Sequence, residues 1–371
     1  MAVAIPQLLQ PAVINARVDR LKVINTELQG FWGMGKGGSA ERTSPYGRRG
    51  SYDVFNSTRR AAPPSRPGSA ATIIQPNPIG NVPFAMPRFH PSIPLLGELL
   101  NNLRPVGGPA NVTDTAGAQY IADQEQFIKQ QITNDREFQA AAMMRGSYTY
   151  AIDNPYQGPS MAYSGGTYTV DYQVPSGNKS KLNMLGGGDI LAATWNTAGT
   201  KIIDHLLAIN AAFIQLTGRP LRHVFCSSIV WGYVGANTQV QAQAGTANTY
   251  FDYITRDEET ANCTARLRAL PWLLWHISDN GLDTGSSFAF EKFFDDTHAA
   301  FTIEPDAIVA QYWQCGEPIS EWDGAPQTIR TGEYYWAKPT SNPTGYQLFG
   351  LHNGIPVLQI PAGIAYGLVK Y

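Results

Sequence analysis

The apolar positions near the start of the chain follow the three- and four-residue spacing of a helix. They are Ile14, Val18, Leu21, Ile24 and Leu28. This spacing predicts one helix with a single apolar face, ending at Gly30. Because no local core surrounds it, we expect that face to dock on the main body of the chain or on a neighbouring copy.

The segment after this helix is rich in glycine, arginine and proline. It holds six arginines between Arg42 and Arg66, and its prolines exclude a helix. Strand-like runs occur at Tyr52–Thr58, Ala71–Gln75 and Val82–Met86. We predict an extended two-stranded excursion that docks on an acidic neighbour, since an isolated hairpin is marginal in water.

The clearest helical pattern runs from about Ala116 to Met144, after capping residues at Thr113–Thr115. A helix of this length is roughly 40 Å long. Its apolar residues form a thin stripe, interrupted by glutamines: Tyr120, Ile121, Phe127, Ile128, Ile132 and Phe138. A thin stripe predicts packing on one side only, as in a strut that lies across a sheet.

The remaining pattern predicts a compact unit of helix and strands. Asn196–Leu216 is densely apolar and closes at Gly218, which predicts a core helix, whereas the stretch from Trp231 to Ala247 is typical of an irregular loop. Strands are predicted at Ser147–Ile152, Thr167–Val174, Leu221–Ser227, Pro271–Ser278, Ala307–Trp313, Tyr346–Leu351, Ile355–Gln359 and Tyr366–Val369.

From the composition, we expect partners to cover much of the surface. Only 15% of residues are charged, against 43% hydrophobic, and ordinary soluble domains carry about a quarter charged residues. Residues 1–112 hold 12 Lys+Arg and 5 Asp+Glu, a net +7, whereas the remainder holds 15 and 24, a net −9. This asymmetry predicts that one part docks on the other, within a chain or across copies.

Several function classes find little support in the sequence. The total charge of −2 is unlike that of a dedicated nucleic-acid binder. The three cysteines, Cys226, Cys263 and Cys315, lack zinc-site spacing and are expected to be reduced. The first twenty residues do not resemble a signal peptide, and no apolar run is long enough to span a bilayer.

Two short motifs offer candidate chemistry. Gly33–Gly38 matches G-x-G-x-x-G but follows a helix pattern rather than a strand, so a flexible hinge is favoured over phosphate binding. Asp283-Thr284-Gly285 matches the string of pepsin-like aspartic proteases, which need a second such aspartate. The nearest candidate, Asp323-Gly324, lacks the middle residue, so a turn between two strands is favoured. None of the six histidines has metal-ligand spacing.

The order of elements resembles the Johnson fold, the α+β shell-subunit fold of tailed phages, herpesviruses and encapsulins. The resemblance is to the lambda-type major capsid protein family, the major capsid protein E family. Four stretches carry it: Tyr52–Phe55 through Pro83–Arg88, the helix-to-strand junction Met143–Thr149, the unit around Gly218-Arg219-Pro220, and Tyr334–Trp336 through Val369.

The resemblance implies five segments. They are an N-terminal arm (1–49), an extended loop (50–92), a peripheral domain with a spine helix (93–187), an axial domain (188–320), and a return to the peripheral domain (321–371). The last strand of the return is a candidate for the axial domain. It implies a shell protein without catalytic, cofactor or metal sites, located in the virion and, during assembly, in the host cytoplasm. The implied partners are copies of the chain as hexamers and pentamers, a separate scaffolding protein or none, a portal, a candidate decoration protein, and packaged DNA bound without sequence specificity. No membrane is expected as a partner.

Two alternatives stay open. One is an encapsulin-type compartment, although those chains are shorter and lack so long an arm. The other, of a different class, is an aspartic-type hydrolase that uses Asp283; it predicts loss of activity when that residue is changed.

Overall fold

The computed structural model describes residues 3–24, 26–35, 37–55, 79–96, 98, 112–113, 115–151, 167–243, 251–256, 262–283, 290–321, 326–341 and 344–371. The strand predicted at Ala71–Gln75 and the arginines between residues 56 and 78 lie outside these ranges.

The helices within the described ranges are α1 (Ile5–Leu8), α2 (Pro11–Val18), α3 (Glu27–Phe31), α4 (Thr115–Arg145), α5 (Ile202–Thr217), α6 (Ser228–Gly235) and α7 (Thr238–Ala242), with short 3₁₀ turns at Ser176–Asn178 and Pro361–Gly363.

The strands of the first half are β1 (Val3–Ala4), β2 (Glu41–Thr43), β3 (Arg49–Phe55), β4 (Ile79–Ala85), β5 (Arg88–Phe89), β6 (Ser92–Leu96), β7 (Val112–Thr113), β8 (Ser147–Ala151), β9 (Thr167–Asp171) and β10 (Lys179–Ser180). Those of the second half are β11 (Leu221–Cys226), β12 (Phe251–Arg256), β13 (Cys263–Leu267), β14 (Leu270–Ile277), β15 (Gly281–Asp283), β16 (Phe290–Lys292), β17 (His298–Ile303), β18 (Ala310–Gln314), β19 (Gly316–Ile319), β20 (Thr328–Thr331), β21 (Tyr334–Ser341), β22 (Thr344–Leu358) and β23 (Ile364–Leu368).

These elements form two compact units built from alternating stretches of chain. The first unit comprises Met1–Gly50, Ala85–Gln139 and Tyr312–Pro356, and the second comprises Ser51–Phe84, Ala140–Gln311 and Val357–Tyr371.

In the first unit, a mixed sheet packs against α4. The strand order is β2-β18-β22-β21, and β5 and β6 also pair with β22. Ile121, Ile128 and Ile132 of α4 are fully buried in one core with Tyr335 and Leu348 of the sheet. Because these isoleucines are separated by seven and four residues, they lie on one face of the helix. The predicted packing of this helix across a sheet is therefore confirmed, but packing on one side only is wrong, because six consecutive residues, Gln139–Met144, are all buried. Phe127 of the predicted stripe is 55% exposed.

The second unit is built on a seven-stranded sheet. Its order is β10-β23-β17-β11-β14-β13-β12, with β11 parallel to β14 and antiparallel to β17. One face carries a core in which Trp195 lies 6.2 Å, ring centroid to ring centroid, from both Trp275 and Phe301. Helix α5 buries most of its large apolar residues, although Leu207 is 45% exposed. It ends at Gly218, whose φ of +78° is the left-handed cap that glycine favours.

The arm departs from the prediction of one continuous helix. Helix α2 ends at Val18 and α3 begins at Glu27, and Gly30 lies inside α3 rather than after its end. Ile24 is 50% exposed, whereas Ile14 and Val18 are buried. The periodic spacing wrongly predicted a helix across this break. Lys129 of α4 donates to the carbonyl oxygens of Val18 and Leu21, in place of further helical hydrogen bonds.

Two further predictions are corrected in the second half of the chain. The stretch after Trp231 contains α6 and α7 instead of a loop, because Ser227 and Asn237 accept backbone N–H bonds as N-caps. Tyr346–Leu351 and Ile355–Gln359 form one strand, β22, that continues through Gly354. A Cβ atom at Gly354 would lie 2.6 Å from the Tyr312 ring, so this glycine serves a close packing contact rather than a turn.

Replacing Gly350 of β22 with alanine is expected to destabilise the first unit. The added Cβ atom would lie 2.5 Å from Cγ2 of Ile128 and 3.1 Å from Cδ1 of Ile132, both fixed in the core. Overpacking of this kind costs about 1–3 kcal/mol. The midpoint of urea unfolding measures it, with Gly35→Ala as the matched control because a Cβ atom there meets nothing within 4 Å. Equal midpoints for the two variants would show that α4 and the sheet can move apart to accommodate the added Cβ atom.

Candidate functional site

The two motifs with candidate chemistry occupy simple structural positions. Asp283 is the last residue of β15 and pairs with Phe290 of β16, so the chain forms a hairpin there, as predicted. Asp323, the second aspartate considered, lies outside the described residues. Gly33–Gly38 forms a hydrogen-bonded turn, in which the amide of Ala40 donates to the carbonyl oxygen of Gly33 at 3.1 Å. Strand β2 follows this turn, whereas a phosphate-binding loop requires a helix N-terminus.

Polar side chains of α4 hold the backbone of the arm. Lys129 Nζ donates to the carbonyl oxygens of Val18 at 2.6 Å and of Leu21 at 2.7 Å. Gln130 makes a reciprocal pair with Ile24, donating to its carbonyl at 2.8 Å and accepting from its amide at 3.1 Å. Leu21 and Ile24 lie beyond the end of α2, so no helical amide reaches their carbonyls and α4 supplies the donors instead. The glutamine-rich character of α4 therefore has a structural role, which periodicity alone could not reveal.

Two buried carboxylates of α4 complete this contact. Glu137 is 1% exposed and accepts from the backbone amides of Leu28 and Gln29, the latter at 2.9 Å, at the start of α3. Burial raises the pKa of Glu137 to about 8. Glu125, fully buried, forms an ion pair with Arg17 of α2. Because its two carboxyl oxygens accept from amides at the start of α3, Glu137 fixes where α3 can sit.

Some charges of the basic first part of the sequence form ion pairs with the acidic remainder inside the first unit. Arg17 pairs with Glu125, and Glu317 receives Arg88 at 2.5 Å and Arg48 at 4.0 Å. In each pair the arginine comes from the basic first 112 residues and the carboxylate from the acidic remainder. The expected docking of one part on the other thus occurs within one chain for these residues.

A second polar cluster lies in the core of the first unit. Arg136 of α4, 3% exposed, forms an ion pair with Glu333, which also accepts from the hydroxyl of Tyr335. Arg136 also contacts His352 of β22, whose Nε2 lies 2.6 Å from the hydroxyl of Tyr312. Burial, followed by the charge of Arg136, holds the pKa of His352 well below its usual range, so this histidine is neutral. The cluster, named here the Arg136 network, ties α4 to β22.

The second unit brings histidines together that are far apart in sequence. His223 of β11 lies 3.1 Å from His276 of β14, and its other ring nitrogen lies 3.1 Å from Glu304. His298 lies 2.9 Å from Asp295, which itself accepts from Thr297. Pairing of β11 with β14 creates the His223–His276 contact, so spacing along the chain gave no signal for it. The His298–Asp295 contact is local, three residues apart. Within the described residues, no group of three His, Cys, Asp or Glu side chains could hold a metal ion.

The stability of the first unit is expected to fall as pH rises from 3.8 to about 7. Burial raises the pKa of Asp135 from 3.8 to about 7, so between these values the unfolded chain has released a proton that the folded chain retains. Urea unfolding across this range measures the slope. Asp135→Asn should make the slope shallower, the rest coming from groups such as buried Glu137, whereas Asp123→Asn, on an exposed position of the same helix, should leave it unchanged. The same slope in Asp135→Asn and the parent would contradict this assignment.

Large apolar side chains are exposed at scattered positions on both units. The most exposed aliphatic residues are Ile329 of β20, at 75%, and Ile308, at 60%; Phe127 and Phe290 exceed half exposure. Isolated exposed hydrophobics are common, so these positions do not by themselves define a partner. Among the helices of the described ranges, none has the length and hydropathy needed to cross a membrane.

Comparison with known proteins identifies the family. The family model of phage major capsid protein E matches residues 51–262, more than half of the chain. No curated protein matches in a sequence search. Among solved structures, the chain is similar to a phage-related protein from Bordetella bronchiseptica RB50, with 11% identity, 97% of each chain covered and a TM-score of 0.52. It is also similar to a prophage protein from E. coli CFT073 assigned as a capsid protein, with 13% identity, 100% of each chain covered and a TM-score of 0.50.

These structural matches share the Johnson fold, so the α+β shell-subunit architecture predicted from the order of elements is confirmed. The matched range contains most of β3, the whole of β4 and α4, helices α5 to α7, and strands β11 and β12. The chain belongs to the phage major capsid protein E family.

Proposed function

We propose that this chain is the major capsid protein of a tailed phage, assembling as hexamers and pentamers into an icosahedral shell around double-stranded DNA. The family match over residues 51–262 carries the proposal. The low charge content and the exposed apolar residues support it, because a shell subunit buries several modest patches against its neighbours.

The five-segment division is part of this proposal. Residues 188–320 would form the axial domain, and the sheet strands β11–β14 and β17 between residues 221 and 303 support this role. Residues 93–187 and 321–371 would form the peripheral domain around α4. The pairing of β23 with β17 supports the idea that the last strand joins the axial domain. Residues 1–49 would be the arm and 50–92 the loop that lies over a neighbour.

Partners other than the chain itself belong to the proposal as well. Scaffolding would come from a separate protein or be unnecessary. A portal, a candidate decoration protein and packaged DNA complete the set, with assembly in the host cytoplasm. The shell is proposed to have no catalytic role, which fits the hairpin position of Asp283.

Expression of the chain alone is expected to yield closed shells, rings or tubes of megadalton mass. Negative-stain electron microscopy with light scattering measures this. If only monomers form, the chain is co-expressed with the scaffolding protein of the same phage. Monomers in this second experiment as well would contradict the proposal. Asp283→Asn should assemble like the parent, whereas the hydrolase alternative predicts a proteolytic activity that this change removes. Shells that fill with a dedicated protein cargo and never with DNA would favour the encapsulin alternative.

A further inference from the structure

The seven-stranded sheet of the second unit has a basic cavity at one end. Strands β11 and β14 begin at this end and β13 and β17 finish there, because β11 is parallel to β14, whereas β13 and β17 run the other way. The cavity has a volume of about 600 Å³ and is named here the Arg222 cavity. Its walls include Arg219, Arg222, His223, Arg266, Trp272 and Glu304. Three of these side chains are guanidinium groups, which suit a negatively charged partner.

The carboxylates near this cavity leave Arg222 without a partner. Glu304 lies 3.1 Å from a ring nitrogen of His223, and Asp306 accepts from Arg219 at 2.5 Å. Arg222 is exposed, and within the described part of the chain it has no ion pair or side-chain hydrogen bond. Its guanidinium group is therefore available to a carboxylate from elsewhere.

Arg266 is available in the same way. Asp252 of β12 pairs directly with Arg266 of β13 in the strand register, but its carboxylate accepts from Arg268 at 3.2 Å instead. Arg266 is exposed, and no carboxylate among the described residues forms an ion pair with it. Two guanidinium groups of the cavity thus lack an acidic partner in the described part of one copy.

Acidic residues that complement these arginines are attached at the opposite end of the sheet. Strands β12 and β13 are joined there, beyond the pair of Arg256 and Cys263. The joining residues include Asp257, Glu258 and Glu259, the one run of three consecutive acidic residues in the sequence. Residues 257–259 are named here the acidic segment. They lie outside the described ranges, so their place follows from the two strands that they join.

Described residues at the same end add negative charge. Asp279 follows β14 and Asp296 precedes β17, and both are partly exposed. Lys292 pairs with both, at 3.0 and 2.9 Å, so one positive charge serves two carboxylates. The sheet therefore has an acidic end and a basic end.

The separation of the two ends favours contact between copies over contact within one copy. Along β11, Arg222 and Cys226 are four residues apart, a distance of about 13 Å. Cys263 lies level with Cys226, since both pair with Ile277, and the acidic segment is attached beyond that level. Two complementary patches at opposite ends produce a head-to-tail contact, which closes into a ring when the rotation between copies permits.

We propose that the Arg222 cavity receives the acidic segment of a second copy of the chain, with Arg222 and Arg266 paired to its carboxylates. Arginine binds a carboxylate through paired N–H donors, and charge complementarity also fixes the orientation of the two copies. Each copy gives its acidic segment to one neighbour and receives that of another, as in the rings of the proposed hexamers and pentamers. The inference rests on the proposed function, because it names one contact through which the shell assembles.

Charge reversal on each side of the contact tests the proposal, with assembly followed by light scattering and negative-stain electron microscopy. Arg222→Glu with Arg266→Glu should lower the yield of assembled particles at least about tenfold, because like charges would then face each other. Glu258→Arg with Glu259→Arg should lower it as much from the other side. All four changes in one chain restore opposite charges and should recover most of the assembly.

A mixture of the two reversed variants separates contact between copies from contact within one copy. The cavity of each variant matches only the acidic segment position of the other, so alternating rings should form although neither variant assembles alone. A six-membered ring can alternate two variants and a five-membered ring cannot, so rings or tubes are expected rather than closed shells. Recovery in the chain with all four changes but not in the mixture would place the contact within one copy and overturn the proposal.

Lys201→Glu with Arg268→Glu is the matched control, because it changes the charge equally at exposed positions that do not line the cavity. This control should assemble like the parent, and its failure would show that net charge, rather than the cavity, governs assembly.

Two further results would overturn the contact. One is normal assembly of Arg222→Glu with Arg266→Glu. The other is loss of assembly in both reversed variants without recovery when all four changes are combined. A parent chain that forms no particles, alone or with its scaffolding protein, would instead contradict the proposed function.

Discussion

Replacing Glu333 with alanine is expected to lower the free energy of unfolding of the first unit by about 3–5 kcal/mol, the usual cost of leaving a buried charge without its partner. Arg136 and Glu333 are both buried, and Tyr335 also depends on Glu333 as an acceptor. Burial and the neighbouring Glu333 raise the pKa of Tyr335, so its hydroxyl stays protonated and requires that acceptor.

Urea unfolding of the unassembled chain, followed through hydrogen exchange of α4 and β22, measures the loss. Arg268→Ala is the control, because its partner Asp252 is exposed and surface pairs contribute only about 0–1 kcal/mol. A double variant, Arg136→Met with Glu333→Leu, should recover part of the stability, since no unpaired charge remains. A loss below about 1 kcal/mol in Glu333→Ala would mean that water reaches Arg136, contrary to the burial that the structure gives.

Replacing Glu137 with alanine is expected to release the arm from α4 without unfolding the sheet. The amides of Leu28 and Gln29 would lose their acceptor, and each unsatisfied buried donor costs about 1–3 kcal/mol. Opening of residues 1–34 should then rise at least about tenfold. Limited trypsin digestion at Arg20 and Lys22 measures the opening rate.

Gln119→Ala is the matched control for this release. Gln119 lies on the same helix, but its side chain binds only exposed Asp123, at 2.8 Å, among the described residues. Equal cleavage rates in Glu137→Ala and the parent would show that the apolar contacts of Ile14 and Val18 hold the arm by themselves. Assembly of the Glu137→Ala variant would also show whether shells require a docked arm.

The sequence predicted the elements whose pattern depends on local chemistry. The long helix was placed within one residue at each end, because its helix-forming composition and Gly146 define it locally. Helix α5 ends at the predicted glycine, but it begins at Ile202 rather than at Asn196. Helices α6 and α7 were missed, although Ser227 and Asn237 are recognisable caps, because the surrounding composition is typical of loops.

What the sequence alone determined is the order of elements and the family to which that order points, since both follow from local periodicity, caps and turns. The tertiary structure alone decided which polar residues meet. Arg136 and Glu333 are 197 residues apart, and His223 and His276 are 53 apart. A buried polar residue is stable only beside a partner, and packing of helix on sheet or strand on strand selects that partner. For the same reason, the polar contacts that hold the arm could be recognised only once α4 was in place.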